Sequence, residues 1–422
     1  MPKSMDNPPN NWYKKIHLTA GPGKTVTLNG QVTMIQALID RGVVIPQPQT
    51  VEIAPEVDIH RISPGAVIHP GSRIRGGNTL ICTGAQIGRQ APATIENCFI
   101  GPQVSLEGGY FSSSVFLEKS SIGPSAHIRA GTILEEHASA AHSAGLKQTI
   151  LFPFVTLGSL VNFCDCFMSG GTGPKNHSEV GSAYIHFNFT PRQDKATASL
   201  IGDVPNGVML NQPPIFLGGQ GGLVGPCRLA FGTVIAAGTI CRKSETRPGR
   251  LIFGGPARSG NVPYTGASGV GGLRGIVSNN LYYLANLRAL EQWYSHVRSL
   301  FISGRMPRAL YQGLVDTLQD CIKERIKRLG DFAQKVAPDH LGPCWDRLES
   351  RLQAPAEQMD VPEKRDDFVR LTRERMDSAD NPDYIRVIQG LDKASAAAGT
   401  EWLQALTDAC MESWQSVLPD DP

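Results

Sequence analysis

The sequence predicts a mainly β fold, a left-handed parallel β-helix with inserted loops, followed by an α-helical C-terminal module. Aliphatic residues recur every six positions between about residues 51 and 252, and the residue after each is usually small or a proline. After about residue 278 the apolar spacing changes to three and four, which is typical of amphipathic helices. The 45 Gly and 30 Pro fit a fold that turns many tight corners.

The six-residue period appears in three separate runs of the chain. Its members are Ile62, Ile68, Ile74 and Leu80, then Ile122, Ile128 and Leu134, then Leu217, Leu223, Leu229 and Ile235. In a β-helix each hexapeptide supplies one short strand and one corner, and three of them close a triangular coil of about 18 residues with the aliphatic side chains inside. A spacing of six would instead scatter these residues around an α-helix. We therefore predict the β-helix over residues 51–260.

Three regions depart from the repeat. Residues 1–50 are predicted as an N-terminal cap segment with a short helix at 31–41, because a β-helix must cover its open end. Residues 162–212 are predicted to contain projecting loops, where binding residues tend to lie. A Gly-rich linker at 261–277 precedes the helical domain, 278–422. Helices are expected there at 278–301, 308–327, 344–352, 367–376 and 399–417.

The amino-acid composition limits the classes of binding partner and the cellular compartment that we expect for this protein. Lys plus Arg number 40 against 38 Asp plus Glu, so the net charge of +2 gives no reason to expect a nucleic-acid partner. No apolar run approaches the roughly 18 residues of a membrane span, so no membrane partner is expected. The nine Cys form no regular framework and no signal peptide is evident, which predicts a cytoplasmic protein. Cys164 and Cys166 lack a second pair, which favours buried small side chains over a zinc site.

The order of the local phrases resembles the acetyltransferase half of the bacterial bifunctional enzyme that acetylates glucosamine-1-phosphate and then uridylates it. The similarity runs from about residue 37 to residue 258 and includes the phrases at 42–48, 51–53, 123–131, 200–203 and 215–239. It implies an acyltransferase that uses acetyl-CoA as co-substrate and acts on a phosphorylated or nucleotide-linked aminosugar related to UDP-N-acetylglucosamine. It also implies a homotrimer, because grooves in this fold class generally form between subunits.

The resemblance implies four substrate-binding residues. Arg129 and Lys147 match the cations that hold the two ends of the sugar nucleotide, and their separation of 18 residues, one full coil, predicts that they stack on the same face. The alternative is a pair of solvated surface cations. Asn188 and Lys195 match a loop of the family, although Phe189 replaces its tyrosine.

The cofactor residues implied by the resemblance are Gly219, Ala237 and Arg258. Gly219 and Ala237 are again 18 residues apart, and small side chains there would leave a groove for the pantetheine arm of coenzyme A. The fold also requires small residues at its corners, which explains both positions equally well. No metal site is predicted, because His137, His142 and His177 do not match the spacing of zinc-binding members of the fold.

Transfer to an amine needs a proton acceptor, and histidine is the usual one at neutral pH. The family places its histidine at a position that corresponds here to Ser159. His177 is the first candidate instead, with Glu179 or Asp165 to orient its ring. His186 is the second candidate, and a packed role on a strand is the alternative for it.

The main alternative to an acyltransferase is a protein of the same fold that has lost catalytic activity. The displaced histidine and the missing tyrosine are also consistent with a catalytically inert sugar-nucleotide-binding protein or a trimeric scaffold of the same fold. The helical domain contains no motif that indicates a function.

Overall fold

The computed structural model describes residues 28–189, 194–254, 272–380 and 382–419. It confirms the fold class, since a parallel β-solenoid at about 52–252 precedes a helical region. Residues of the six-residue period point inward, and Ile62, Ile74 and Ile128 are fully buried. The core of the solenoid is therefore one continuous column of aliphatic side chains.

Each coil passes through three faces, which we name A, B and C in chain order. Face A contains Glu52–Ile53, Arg73–Arg75, Ala93–Glu96, Gly109–Ser112, Ala126–Ile128, Ile185–Phe187, Gly222–Val224 and Ile240–Cys241. Face B contains Leu80–Ile81, Phe99–Ile100, Ser114–Phe116, Thr132–Leu134, Ser199–Ile201 and Arg228–Leu229. Face C contains Val67–Ile68, Gln86–Ile87, Ser105–Leu106, Ser121–Ile122, Ser139–Ala140, Thr156–Leu157, Glu179–Val180, Phe216–Leu217, Val234–Ile235 and Leu251–Ile252. The longer strands Gly145–Leu151 and Asn162–Met168 turn the corner from face A into face B.

The coils are less uniform than the hexapeptide period predicts. Ile128 pairs with Leu146, 18 residues later, but Phe111 pairs with Ile128 after 17 and Ile53 with Ile74 after 21. The differences arise at the corners, where residues are inserted or lost between strands. The largest insertions include an antiparallel hairpin of Gly171–Gly173 and Asn176–His177, which joins face B to face C.

Helices occur before, within and after the solenoid. They are α1 (Leu28–Asp40), α2 (Val204–Gly207), α3 (Leu273–His296), α4 (Arg308–Lys335), α5 (Trp345–Gln353), α6 (Pro362–Asp377), α7 (Tyr384–Gln389) and α8 (Lys393–Gln415). The five predicted C-terminal helices are all present, and α7 is an addition. Among the described residues, none of these helices has both the length and the apolar character that crossing a membrane requires.

Helices α3 and α4 pack on face B. The Phe99 ring lies so close to Gly313 of α4 that a Cβ there would be 2.3 Å from it, which explains the glycine. Buried polar groups join the two parts as well: the Val204 N–H donates to Asn286 Oδ1 over 2.8 Å, and Asn280 Nδ2 donates to the Ala196 carbonyl over 2.9 Å. The helical region is thus docked by specific contacts as well as by apolar burial.

A buried charged cluster marks the corner between faces B and C. The Arg298 guanidinium is fully buried, donates to Glu136 and lies 3.7 Å from the centre of the Tyr384 ring. The Tyr294 hydroxyl donates to Glu135 over 2.6 Å. Burial raises the pKa of Glu135 to about 7, although the positive charge of Arg298 opposes this shift.

Replacing Glu135 by glutamine tests this cluster. The raised pKa means that the stability gained from protonated Glu135 is complete below its unfolded pKa and is lost as the pH rises through about 7. Glu135→Gln keeps an acceptor for Tyr294 and removes the charge. We expect a higher melting temperature than wild type at pH 8 and little difference at pH 5, measured by differential scanning calorimetry.

Glu401→Gln, which alters an exposed carboxylate of α8, is the control. An equal shift of the Glu135→Gln melting temperature at both pH values would contradict the assignment of a raised pKa.

Candidate functional site

The structure brings Arg129 and Lys147 together at the corner between faces A and B. The Arg129 N–H donates to the Leu146 carbonyl over 2.9 Å, so the two cations occupy the same position in successive coils. Cys164 is in register with Lys147 in the next coil, and its Sγ lies 3.6 Å from Arg129 Nη2. We call Arg129, Lys147 and Cys164 the A/B ladder. It places two positive charges side by side on the surface, which suits a doubly charged phosphate.

Asp165 and Asn188 lie next to the A/B ladder, at the same corner between faces A and B. Asn188 Nδ2 donates to Asp165 Oδ2 over 2.7 Å, and Asp165 Oδ1 lies 2.8 Å from Arg325 Nη2 of α4. Both members of the ion pair are almost fully buried. The carboxylate of Asp165 is therefore engaged by these two partners, and it does not orient His177. Lys195 lies shortly before the face B strand Ser199–Ile201 and has a left-handed conformation with φ 55°.

A hollow lies on face A beside the A/B ladder. His127, Gly145 and Asn162 occupy its centre line in three successive coils. The hollow has a volume of about 420 Å³, and its lining consists of His127, Arg129, Ser143, Gly145, Leu160, Val161 and Asn162. Arg129 therefore belongs both to the ladder and to the edge of the hollow.

His127 is not singled out by the six-residue period or by the family resemblance. The His127 ring packs edge-on against the Tyr110 ring with centroids 5.3 Å apart, and the Tyr110 hydroxyl donates to Glu96 over 2.7 Å. A signal was present in the sequence, because residues alternate between inside and outside along a strand. Ile128 is buried while His127 and Arg129 on either side of it are exposed, so the two polar side chains share one face.

His186 lies inside the solenoid. It is 2% exposed, its Nε2 is 2.8 Å from Ser199 Oγ, and its ring centroid is 6.2 Å from that of Phe163. Burial lowers the pKa of His186 to about 4. This position supports the packed role of the ring over a catalytic one.

His177 lies at a different corner from the A/B ladder. It ends the hairpin between faces B and C, where its Nδ1 is 2.9 Å from the Pro174 carbonyl and its Nε2 is 3.7 Å from Glu179 Oε2. Glu179 is thus placed to orient the ring. Within one chain, however, His177 is not brought to Arg129 and Lys147.

The remaining histidines considered for metal binding are also separated. His142 Nδ1 lies 3.0 Å from Ser159 Oγ at the corner between faces C and A, whereas His137 stacks on Phe154 at the corner between faces B and C. In the described ranges, no three His, Cys, Asp or Glu side chains are grouped so that they could hold a metal ion. All nine cysteines are buried and unbridged.

Gly219 and Ala237 stack at the corner between faces C and A. The Gly238 N–H donates to the Gly219 carbonyl over 2.9 Å. A Cβ on Gly219 would lie 2.8 Å from the Ser182 carbonyl oxygen, so packing alone accounts for this glycine. Ala237 is exposed. Arg258 lies outside the described residues.

Exposed apolar side chains flank the Gly219 and Ala237 corner on both sides. On face C they form one column, and on face A two more stand on either side of Gly222. The members are Phe216, Val234 and Leu251 on face C, and Ile185 and Ile240 on face A. Exposed apolar side chains grouped in this way are typical of an interaction surface.

Comparison with known proteins gives one consistent relationship. The chain is similar to the bifunctional protein GlmU of Thermotoga petrophila, with 29% identity over 218 residues, covering 51% of this chain and 43% of the relative. GlmU of Nitratidesulfovibrio vulgaris strain DP4 is 25% identical over 236 residues, and GlmU of Staphylococcus haemolyticus is 26% identical over 198 residues, covering 53% and 47% of this chain and 44% and 39% of the relatives. The chain thus spans less than half the length of these relatives. No family model matches it.

The buried position of His186 gives a prediction about acid stability. Because its pKa is lower in the folded state, its contribution to stability is complete above the unfolded pKa of about 6.5 and is lost as the pH falls towards 4. We expect His186→Asn to lose less unfolding free energy than wild type between pH 7 and pH 5, as measured by urea denaturation. His340→Gln, at an exposed position, is the control and should follow wild type. An identical pH dependence in wild type and His186→Asn would show that the ring titrates normally.

Proposed function

We propose that this protein transfers an acetyl group from acetyl-CoA to the amino group of a phosphorylated or nucleotide-linked aminosugar. The observation that carries the proposal is the adjacency of Arg129 and Lys147 at one corner of a solenoid that is similar in sequence to GlmU proteins. The forked guanidinium of Arg129 and the point charge of Lys147 together suit a phosphate. Asn188 and Lys195 extend the same corner towards the rest of the substrate.

The chemistry requires one proton acceptor. As the amine attacks the thioester carbonyl, a C–N bond forms, the C–S bond breaks and the amine proton passes to a base, while the coenzyme A thiolate leaves and is protonated. His177, which lies beside Glu179, and His127, which lies in the hollow beside Arg129, are the two exposed or partly exposed candidates. They lie at different corners, so mutation of each separates them.

The proposal includes assembly of identical subunits. The A/B ladder lies at one edge of face A, and Gly219 and Ala237 lie at the other edge, several coils further along. A homotrimer would place one edge of a chain against the opposite edge of its neighbour, with the same interface repeated three times. The apolar columns of faces A and C beside Gly219 give such an interface a surface to bury.

The second candidate function is sugar-nucleotide binding without transfer. The substitution of Ser159 for the family histidine and the burial of His186 favour it. Under this alternative the A/B ladder still binds phosphate, but coenzyme A does not bind.

Incubation of the purified full chain with labelled acetyl-CoA and glucosamine-1-phosphate tests the main proposal. We expect label in the sugar, and we expect Arg129→Gln and Lys147→Gln each to raise KM about tenfold or more, because a charge-assisted hydrogen bond contributes roughly 1.5–3 kcal/mol. Arg242→Gln is the matched control, since Arg242 is an exposed cation at the same corner in a later coil. Stabilisation by UDP-N-acetylglucosamine with no transfer and no effect of coenzyme A would support binding alone.

A pair of histidine variants identifies the base. Removing the true base should lower kcat by about 10²- to 10⁴-fold and abolish the acidic limb of the pH–rate profile. We therefore expect this loss in either His127→Gln or His177→Gln, with the other variant close to wild type. Full turnover in both variants would exclude both histidines as the base.

A further inference from the structure

Gly145 differs from Gly109 and Gly222, which lie on strands of the same face A, because neither conformation nor packing requires a glycine at position 145. Gly131 has a φ of 76°, and Gly109 has a φ of 128° with a Cβ position 2.2 Å from the Ala126 carbonyl oxygen. Gly145 has no positive φ, and a Cβ there would meet nothing closer than the Val161 carbonyl oxygen at 3.9 Å. The backbone would therefore accept a larger residue at this position.

The missing side chain creates the hollow on face A. The outward positions of this column in neighbouring coils carry Tyr110, His127, Asn162 and Ile185. Gly145 lies between His127 and Asn162 in this column and has no side chain to fill its place. The resulting hollow has a volume of about 420 Å³ and is open to solvent along face A.

The lining of the hollow is chemically mixed. His127, Ser143 and Asn162 supply polar groups, and the Asn162 amide is held by Cys164, whose Sγ donates to Asn162 Oδ1 over 3.3 Å. Leu160 supplies an apolar wall and is 60% exposed. Arg129 stands at the edge that continues into the A/B ladder. A hexose ring has matching chemistry, with hydroxyl groups at its rim and C–H groups on its faces.

We propose that the hollow over Gly145 holds the sugar ring of the acceptor, and that Gly145 determines specificity because it leaves room for that ring. This inference rests on the proposed function, since it takes the phosphate of the same substrate to lie on Arg129 and Lys147. The ring then lies across Gly145 between His127 and Asn162. A side chain at position 145 would occupy this volume without touching the phosphate site.

Gly145→Ile tests the inference, with Thr94→Ile as the matched control. Thr94 is an outward position of the same face A column, three coils before Gly145 and outside the hollow. Isoleucine favours strands, a Cβ at position 145 meets no atom closer than 3.9 Å, and Thr94 already carries a branched Cβ, so neither variant should lose melting temperature. Isothermal titration calorimetry with glucosamine-1-phosphate and with inorganic phosphate provides the measurement.

We expect Gly145→Ile to weaken glucosamine-1-phosphate binding at least about tenfold, which is about 1.4 kcal/mol, and to leave inorganic phosphate binding within about twofold. Thr94→Ile should match wild type with both ligands. Gly145→Ala, which adds only a Cβ, should fold in any case and weaken sugar phosphate binding to a smaller extent.

The outcomes separate the two proposals. If wild type binds glucosamine-1-phosphate and both Gly145 variants bind it with the same affinity, the ring subsite is overturned. The proposed function is unaffected by that result. Equal losses for sugar phosphate and inorganic phosphate would also overturn it, because they would indicate a damaged A/B ladder. Absence of sugar phosphate binding and of transfer in wild type would overturn the proposed function itself.

Discussion

The in-register stacking of parallel coils is the constraint on which the rest of the structure depends. Backbone N–H groups on the strands of one coil donate to carbonyl groups of a neighbouring coil in a constant register, so residues about 18 apart in sequence become neighbours in space. The pairing of Ile128 with Leu146 places Arg129 beside Lys147, and the following coil adds Cys164. Surface chemistry is therefore assembled across coils, and a short loop motif alone does not define the site.

The helical region contributes to this corner as well as covering face B. Arg325 of α4 reaches the almost fully buried Asp165, and Asp165 accepts a hydrogen bond from Asn188. A buried ion pair adds little net stability, but it is costly to break and so fixes one arrangement of the parts it joins. The helical region thereby holds the segment that carries Asn188 against the corner of Arg129, a structural role for a domain whose sequence contains no functional motif.

The sequence was sufficient to predict the stacked pair of cations, because a fixed inward period determines which outward residues align. It was insufficient for Asp165, whose partner Arg325 lies 160 residues later in another domain. It also could not place His177, because an inserted hairpin has no period to follow. The role of Gly145 could not be predicted for a further reason. A glycine that is required by a positive φ and a glycine that leaves space for a ligand look the same in a sequence. His127 could have been found, since strand alternation sets it on the side of Arg129.

The position of the helices also bears on which histidine could reach the substrate that we propose for the A/B ladder. The hairpin that carries His177 is engaged by α7, since Gln389 Nε2 donates to the Thr172 carbonyl over 2.8 Å. In a homotrimer, the Arg129 and Lys147 side chains of a neighbouring subunit would have to approach His177 around this contact. Helices α3 and α4 already cover the adjacent face B. His127 needs no second chain, because it stands on the same face as Arg129 and lines the same hollow. Proximity of a base to the amine is a precondition of proton transfer. Geometry within one chain therefore favours His127, and it makes a role for His177 dependent on how subunits assemble.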